Sequence, residues 1–301
     1  IMNTELQIAG ASGQALADMM GLSAQDDGNT KKSSSLARLN ITHKALMGDV
    51  EVSGKTMRTE VVPVGAYKLK VGDDIVYCLE PEIRIFALKE QWTHWDSINN
   101  VMHRTVMANN LYTDLKDSKG TFNIGRPSGY HTKKEYDALS QEIKDLMRAV
   151  KRTKILFGTI NLNGKALNED GIEVEGYNDE IPFILDIKNK DSIKALNEVL
   201  KKIREDSKVP IEAKLLKRSI TLGSKVETVP ATYATILFNN VKEVDLQDED
   251  SNTFESFQDW IKWSDGYVLD RWKENNVQEL DELDAELVEA FVGHDIEGVG
   301  V

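Results

Sequence analysis

KILFGTINL, at residues 154 to 162, is the most strand-like stretch of this chain. Apolar, β-branched and aromatic residues dominate it, as they do in buried strands. A loop rich in glycine and asparagine extends from it to about Tyr177, and the stretch IPFILDI at residues 181 to 187 predicts a second strand. Two such runs separated by turn-forming residues indicate a hairpin. The centre of the fold is therefore predicted to be a β-sheet.

Upstream of this pair, the hydrophobic pattern changes to a period of two from Leu36 onward. One face of the first strand would carry Leu39, Ile41, His43, Ala45 and Met47. A turn at Ser53-Gly54 leads to TMRTEVVPV, and then YKLKV, IVYCL and EIRIFAL follow as further strands. This region is predicted to be mostly antiparallel β.

Helices are predicted at two places in the body of the chain. The first would span residues 132 to 150, because Thr132 and Glu135 form a capping box. Its buried stripe would comprise Tyr136, Leu139, Ile143, Met147 and Val150. The second would span residues 191 to 205, and strands around residues 212 to 222 and 232 to 244 would close the body. The predicted fold class is α+β, mainly antiparallel β.

The charge of the chain is distributed unevenly. The formal net charge is −13, but residues 243 to 301 alone contain 18 acidic and 3 basic residues. The remaining part therefore has a net charge of +2. A slightly basic body followed by an acidic end is typical of proteins that bind polyanions.

Several classes of protein are disfavoured by composition. No apolar run approaches the about 18 residues of a membrane span, so no membrane association is expected. Residues 1 to 22 lack the basic and apolar regions of a secretory signal. Cys78 is the only cysteine, which excludes an intrachain disulfide and a zinc–cysteine cluster. A reducing, cytoplasmic location is therefore expected.

The two ends of the chain differ from the body in composition. Residues 1 to 35 read as an arm that ends in the polar linker SAQDDGNTKKSSS. Aromatic residues crowd the start of the acidic region, and an apolar stripe with helical spacing follows at Leu280, Leu283, Leu287 and Phe291. We predict an arm at residues 1–35, a body at 36–244 and an acidic, aromatic-rich helical region at 245–301.

The stretch GTFNIGRPSGY, residues 120 to 130, raises the question of a nucleotide site. Gly120 and Gly125 have the spacing of a phosphate-binding loop, but Arg126 replaces its lysine and Pro127 displaces the hydroxyl residue. The stretch is better interpreted as a loop between a strand and a helix, with Phe122, Arg126 and Tyr130 exposed.

Metal sites and catalytic groups are not indicated by any motif. The five histidines have no paired spacing, and the calcium-loop-like run that begins at Asp248 lacks the required glycine. No nucleophile elbow is present. The chain is therefore predicted to be non-enzymatic and to need no cofactor.

Cations alternate with aromatic residues across the predicted body. Single-stranded nucleic acid needs both groups, because cations contact its phosphates and aromatic rings stack on its unpaired bases. The alternative is that these aromatic residues fill the core and the lysines border the strands. The candidate nucleic-acid-binding residues are Arg38, Lys44, Lys68, Lys70, Trp92, Trp95, Lys116, Lys119, Phe122, Arg126, Tyr130, Lys151, Arg152 and Lys154.

This arrangement of strands, capped helix and acidic extension resembles the bacteriophage single-stranded DNA-binding proteins. The stretch LYTDLKDSKGTFNIGRPSGY is also similar to a segment of phage early replication or transcription proteins. The resemblance implies an elaborated oligonucleotide/oligosaccharide-binding (OB) barrel over residues 36 to 244. It also implies an acidic tail that recruits polymerases and competes with DNA. The tail departs from the family pattern because it ends in Gly298-Val299-Gly300-Val301 rather than in an aromatic residue.

The expected function is therefore to coat single-stranded DNA without sequence preference in the cytoplasm of a host cell. Partners would be single-stranded DNA and a phage DNA or RNA polymerase, the latter bound through the stripe from Leu280 to Phe291. The alternative is a phage structural or assembly protein whose C-terminal helices form the interface of a homo-oligomer.

Overall fold

The computed structural model of this chain describes residues 36–125, 133–204, 211–228 and 231–292. Within these ranges the chain is α+β, and its paired strands are mostly antiparallel, which confirms the predicted class. The predicted arm at residues 1–35 lies outside the described residues.

Thirteen strands are present in the described part. Strands β1 to β7 are Ala37–Ile41, Leu46–Val52, Lys55–Val62, Tyr67–Val71, Asp74–Cys78, Glu82–Asp96 and Val101–Arg104. Strands β8 to β13 are Lys151–Asn161, Ala166–Leu167, Glu173–Val174, Ile181–Ile187, Arg218–Glu227 and Tyr233–Glu243. Helices α1 to α5 are Lys133–Ala138, Gln141–Ala149, Lys190–Arg204, Ile211–Leu215 and Asp250–Val292.

The chain divides into two compact units, each made of two segments. The first unit contains the described part of residues 1–89 and 153–260. The second unit contains the described part of residues 90–152 and 261–301. Strand β6 and helix α5 each contribute residues to both units.

The first unit is built on the large sheet. Its strand order is β10-β9-β5-β4-β1-β11-β8-β6-β12-β13, and β2 and β3 form a separate two-stranded sheet. The predicted strands at 154–162 and 181–187 are confirmed as the antiparallel neighbours β8 and β11. Strands β1 and β11 are parallel. The predicted barrel is not closed, because among the strands described no pairing joins β10 to β13.

Helix α3 covers one face of this sheet with an apolar stripe. Leu196, Val199 and Leu200 are buried against the inward side chains of the strands, and Asn189 caps the helix through the amides of Asp191 and Ser192. The core contains side chains from strands near both ends of this strand order, such as β4 and β12. The buried Tyr67 hydroxyl of β4 donates to the carbonyl of Gly223 in β12 at 2.6 Å, and burial raises the pKa of this hydroxyl.

The first turns of α5 cover the other face of the sheet in this unit. Phe257 packs edge-on against Phe86 at 5.7 Å between ring centroids and also contacts Phe157 at 5.8 Å. The guanidinium of Arg84 contacts both oxygens of Asp250, in the first turn of α5. An apolar contact and an ion pair therefore fix the start of α5 on the sheet.

Three predicted elements have different bounds in the structure. The predicted strand over residues 36 to 47 is interrupted between Ile41 and Leu46, where β2 begins, because Thr42 turns toward β4 and hydrogen bonds through its amide to the Ala66 carbonyl at 2.8 Å. The predicted helix 132–150 is divided, since the Ser140 hydroxyl caps a new helix by accepting from the amide of Ile143.

The third difference concerns residues 212 to 222. A strand was predicted there, but the chain forms helix α4 before β12 begins at Arg218. Pro210 directly precedes this helix in the sequence, and proline favours the first position of a helix.

Within the described part of the acidic region, residues 250 to 292 form one continuous helix of 43 residues. Among the helices described, none combines the length and hydrophobicity needed to cross a membrane.

Candidate nucleic-acid interface

The loop that contains Gly120 is organised around one carboxylate. Asp117 is fully buried, and its oxygens accept from the amides of Lys119 at 2.8 Å and Thr121 at 3.2 Å and from the Thr121 hydroxyl at 2.9 Å. The amide of Ile124 donates to the same carboxylate. These are the amides that a phosphate-binding loop would direct at its ligand. The loop therefore binds its own anion, which argues against a nucleotide site here.

Helix α5 docks on this loop within the second unit. The side-chain amide of Asn275 donates to the Ser118 carbonyl at 3.3 Å, and that of Asn276 donates to the Gly120 carbonyl at 3.0 Å. Gly120 has a φ of +85°, and a Cβ at this position would lie 2.5 Å from the Cβ of Asn275. Only glycine allows both this backbone conformation and the close approach of the helix.

A lysine and two aromatic rings meet where α5 contacts the loop. The Lys116 Nζ lies 4.3 Å from the centroid of the Trp272 ring, and the Phe122 ring lies 6.1 Å from the same ring. An isolated antiparallel β-bridge pairs the backbones of Lys116 and Phe122 and places the two residues side by side. Phe122 remains 50% exposed and Lys116 is exposed, so both can contact a ligand.

A second cation–aromatic group lies on the same helix. The guanidinium carbons of Arg104 and Arg271 lie 5.5 and 5.7 Å from the centroid of the Tyr267 ring, which is 46% exposed. Asp265 anchors this part of α5 by accepting from the amide of Met107 at 2.8 Å. We refer to the following residues as the cation–aromatic surface: Arg104, Lys116, Phe122, Tyr267, Arg271 and Trp272.

A separate basic patch lies on the first unit. Arg38 of β1 is directly opposite Lys70 of β4, and Asn40 is opposite Lys68. Cross-strand neighbours share one face of a sheet, so these side chains project together. Arg38 and Lys70 are exposed, and Lys68 is half-buried. We refer to Arg38, Lys68 and Lys70 as the β1–β4 basic patch.

The remaining described cations predicted to bind nucleic acid belong to neither of these two surfaces. Three of them contact neighbouring groups of the protein, and two are exposed in loops. Arg152 pairs with both oxygens of Glu90 at 2.7 and 2.8 Å. Lys154 donates to the side chain of Asn197 at 2.9 Å, beside α3. The Lys151 Nζ donates to the carbonyl of Arg148 at 2.8 Å. Lys44 is exposed in the turn after β1, and Lys119 is exposed in the Asp117 loop.

Trp92 and Trp95, the two tryptophans predicted to bind nucleic acid, do not form one stacking surface. Both lie within β6, which extends beyond the predicted strand EIRIFAL to Asp96. They are three positions apart, so they project from opposite faces of the strand. Trp92 is half-buried, whereas Trp95 is exposed and lies opposite Met102 of β7.

Several predicted residues are not assessed by the structure. Arg126 and Tyr130 lie outside the described residues. The backbone of the apolar stripe lies within α5, but the side chains of its members are not described: Leu280, Leu283, Leu287 and Phe291. These assignments remain predictions.

Sequence reasoning did not assign Arg104, Tyr267, Arg271 or Trp272 to the interface. The available signal was the spacing of Trp263, Tyr267 and Arg271, at intervals of four in an acidic helix. That spacing places all three on one side of α5, and two of them are exposed aromatics.

The potential metal ligands of the described residues are dispersed. In the parts of the chain that the structure describes, no three potential ligands lie close enough to hold an ion. Asp250 of the calcium-like run is paired with Arg84 and accepts from the amide of Gln247 at 2.9 Å. Its carboxylate therefore helps to fix the start of α5.

No protein-family model matches this chain, and comparison with curated proteins and with solved structures finds no significant match.

Proposed function

We propose that this protein binds single-stranded DNA without sequence preference, through the cation–aromatic surface of its second unit. The observation that carries the proposal is the placement of Lys116 beside the half-exposed Phe122, next to Trp272. Cations attract phosphates, and an exposed ring offers a stacking face to any base. The proposal includes a non-enzymatic role, no cofactor and a location in the cytoplasm of a phage-infected cell.

Duplex DNA suits such a surface poorly, because its bases already stack on each other and only their edges are accessible. We therefore expect tight binding to oligothymidylate and weak binding to a duplex of the same length. A filter-binding titration at two salt concentrations would measure both. Equal affinity for the two forms at both salt concentrations would contradict the proposal.

We further propose that the first unit is a relative of the OB barrel in which the sheet stays open. Two observations support this. The Tyr67 hydroxyl of β4 reaches the Gly223 carbonyl of β12, and one core contains side chains from β1, β4, β12 and β13. The β1–β4 basic patch lies on the outward face, opposite that core, and would be a secondary contact for DNA.

The acidic end of α5 is proposed to recruit a phage polymerase and to compete with DNA. It is helical to Val292, so its leucine spacing would present an apolar face to a groove of the partner. A tethered polyanion acts at an effective concentration that reaches the millimolar range. Even weak affinity for the cations would then reduce the binding of DNA.

Deleting residues 279–301 is expected to tighten DNA binding, most strongly at low salt. The deletion removes eight acidic residues and no lysine or arginine, so the net charge changes from −13 to −5. A matched variant replaces the same eight acids by their amides. It removes the same charge but keeps the segment, so it separates the effect of charge from the effect of chain length. A truncated protein that melts earlier and binds DNA no better would instead assign the segment to packing or to an oligomer interface.

A further inference from the structure

The hairpin formed by β2 and β3 is separate from the large sheet of the first unit. Among the described strands, β3 pairs with β2 alone, and every residue from 53 to 60 is exposed. A two-stranded hairpin by itself is only marginally stable in water, and an unpaired strand edge is a template for pairing with another chain. The hairpin would therefore be stabilised by a further strand at its edge.

The outer edge of β3 presents regular backbone groups over a short length. Val52 and Lys55 are the pair that closes the turn between β2 and β3. The closing pair of a two-residue turn is hydrogen bonded, and hydrogen-bonded pairs alternate with other pairs along an antiparallel ladder. The amides and carbonyls of every second residue from Thr56 to Glu60 therefore point away from β2. A Cβ on Gly171 would lie 2.5 Å from the Val61 carbonyl oxygen, so the Gly171 loop limits the free edge there.

One face of the hairpin carries an exposed apolar pair. Val50 of β2 lies directly opposite Met57 of β3, and these side chains are 38% and 56% exposed. Met47, three positions before Val50, lies on the other face. A strand that pairs with β3 would place another side chain beside Met57 on the apolar face.

The charges of the hairpin disfavour DNA as the occupant of this edge. Residues 47 to 60 contain three acidic and two basic residues, so they do not form a cationic surface for phosphates. A protein strand needs only backbone pairing, an apolar neighbour for Met57 and no opposed like charges.

A second copy of β3 meets these conditions when the two strands pair antiparallel about a two-fold axis at Met57. Thr56 then lies opposite Arg58 of the second copy, and Lys55 lies opposite Thr59 of the second copy, so no like charges are opposed. Both Thr56 and Arg58 direct their backbone groups outward, so they can form the hydrogen-bonded pairs. An axis at Arg58 would instead oppose two arginines.

The edge of β2 is less suitable for the same pairing. An axis at Val50, the apolar residue of β2, would oppose Asp49 with Glu51 of the second copy. Like charges that are directly opposite destabilise a strand pair. The charge pattern therefore selects β3 over β2.

We propose that this protein forms a two-fold dimer in which the β3 edges of two chains pair antiparallel, with Met57 on the axis. Val50 and Met57 of both copies then lie in one row across a continuous sheet. Such an interface uses the same surface on both copies, so the assembly closes as a dimer. The proposal is independent of DNA binding, because the hairpin shares no residue with the cation–aromatic surface or the β1–β4 basic patch.

Sedimentation of the full chain over a concentration series tests this proposal. The paired edge is short, so we expect a dissociation constant in the micromolar range. The mass should then rise from 33.8 kDa toward twice that value as the concentration approaches about 100 μM. Met57→Lys should remain monomeric, because two lysines would be opposed at the axis. Met47→Lys is the matched control, since Met47 is 49% exposed on the other face, and this variant should dimerise like the wild type.

A mixing experiment tests the position of the axis. The Met57→Lys and Met57→Glu proteins should each be monomeric alone, with the circular dichroism spectrum of the wild type. An equimolar mixture should restore the dimer, because opposite charges then meet at the axis.

Three results would overturn the proposal. The wild type could remain monomeric throughout the series, or the mixture could fail to dimerise. A Met57→Lys protein as dimeric as the wild type would show that another surface, such as α5, joins the copies. DNA affinity, measured separately on the monomeric variants, would report on the proposed function alone.

Discussion

Replacing Phe122 by alanine is expected to weaken the binding of oligothymidylate by about tenfold while leaving the protein folded. Stacking of one base on one aromatic ring contributes about 1 to 3 kcal/mol. Phe122 is 50% exposed, so its removal leaves no large cavity. The dissociation constant would be measured by fluorescence anisotropy, and the melting temperature by circular dichroism. Leu79→Ala, at a residue 48% exposed on the first unit, is the matched control.

Lys116→Ala tests the electrostatic part of the same surface. Loss of one phosphate contact should flatten the plot of log affinity against log salt by about 0.7. Lys55→Ala, on the exposed β2–β3 hairpin, removes the same charge elsewhere and should leave the slope unchanged. If Phe122→Ala and Lys116→Ala both bind like the wild type, the contact between Lys116, Phe122 and Trp272 only supports the docking of α5.

The largest expected effect on stability is that of Gly158→Ala in β8. A Cβ at Gly158 would lie 2.0 Å from the carbonyl oxygen of Arg84 and 3.2 Å from the Phe183 ring. The first obstacle is backbone in the neighbouring strand β6, which can move only by separating two central strands. Overpacking of a core typically costs about 1 to 3 kcal/mol. We expect a value near 3 kcal/mol, because the clash is with a strand rather than a flexible side chain.

Gly266→Ala is the control for this substitution. Gly266 lies within α5, and a Cβ there meets no atom within 4 Å. Alanine is favoured over glycine in a helix by about 1 kcal/mol, so this variant should be more stable. Urea unfolding would measure the free energy of unfolding of both glycine variants. A Gly158→Ala protein as stable as the wild type would show that β6 and β8 are not packed as closely as described.

The central strands were predictable because their signal is local. The segments 155–162 and 181–187 are apolar runs bounded by turn residues. Such a run is sufficient to predict a strand that is buried on both faces. The Ser53-Gly54 turn was predictable for the same reason, and both residues have positive φ.

Interruptions of a pattern were harder to predict. The alternation from Leu39 to Met47 continues past Thr42, but Thr42 leaves the strand because the amide and carbonyl of this residue pair with the segment before β4. Ser140 interrupts a continuous helical stripe by offering a cap. Both outcomes depend on competition between local patterns and alternative hydrogen bonds.

The candidate interface was predictable only in part. Lys116 and Phe122 could be selected because the loop combines glycines with a cation and an aromatic residue. Trp272 and Tyr267 were missed, because aromatic residues at helical spacing more often indicate packing than binding. Asn276 and Gly120 are 156 residues apart, and no local pattern predicts that they are in contact.

Photochemical cross-linking would locate the DNA-binding surface of this protein. A single strand carrying bromodeoxyuridine would be bound and irradiated, and the linked residues identified by mass spectrometry. We predict links to Phe122 or Tyr267, the two half-exposed rings of the cation–aromatic surface. Links confined to the first unit, beside the β1–β4 basic patch, would contradict this prediction.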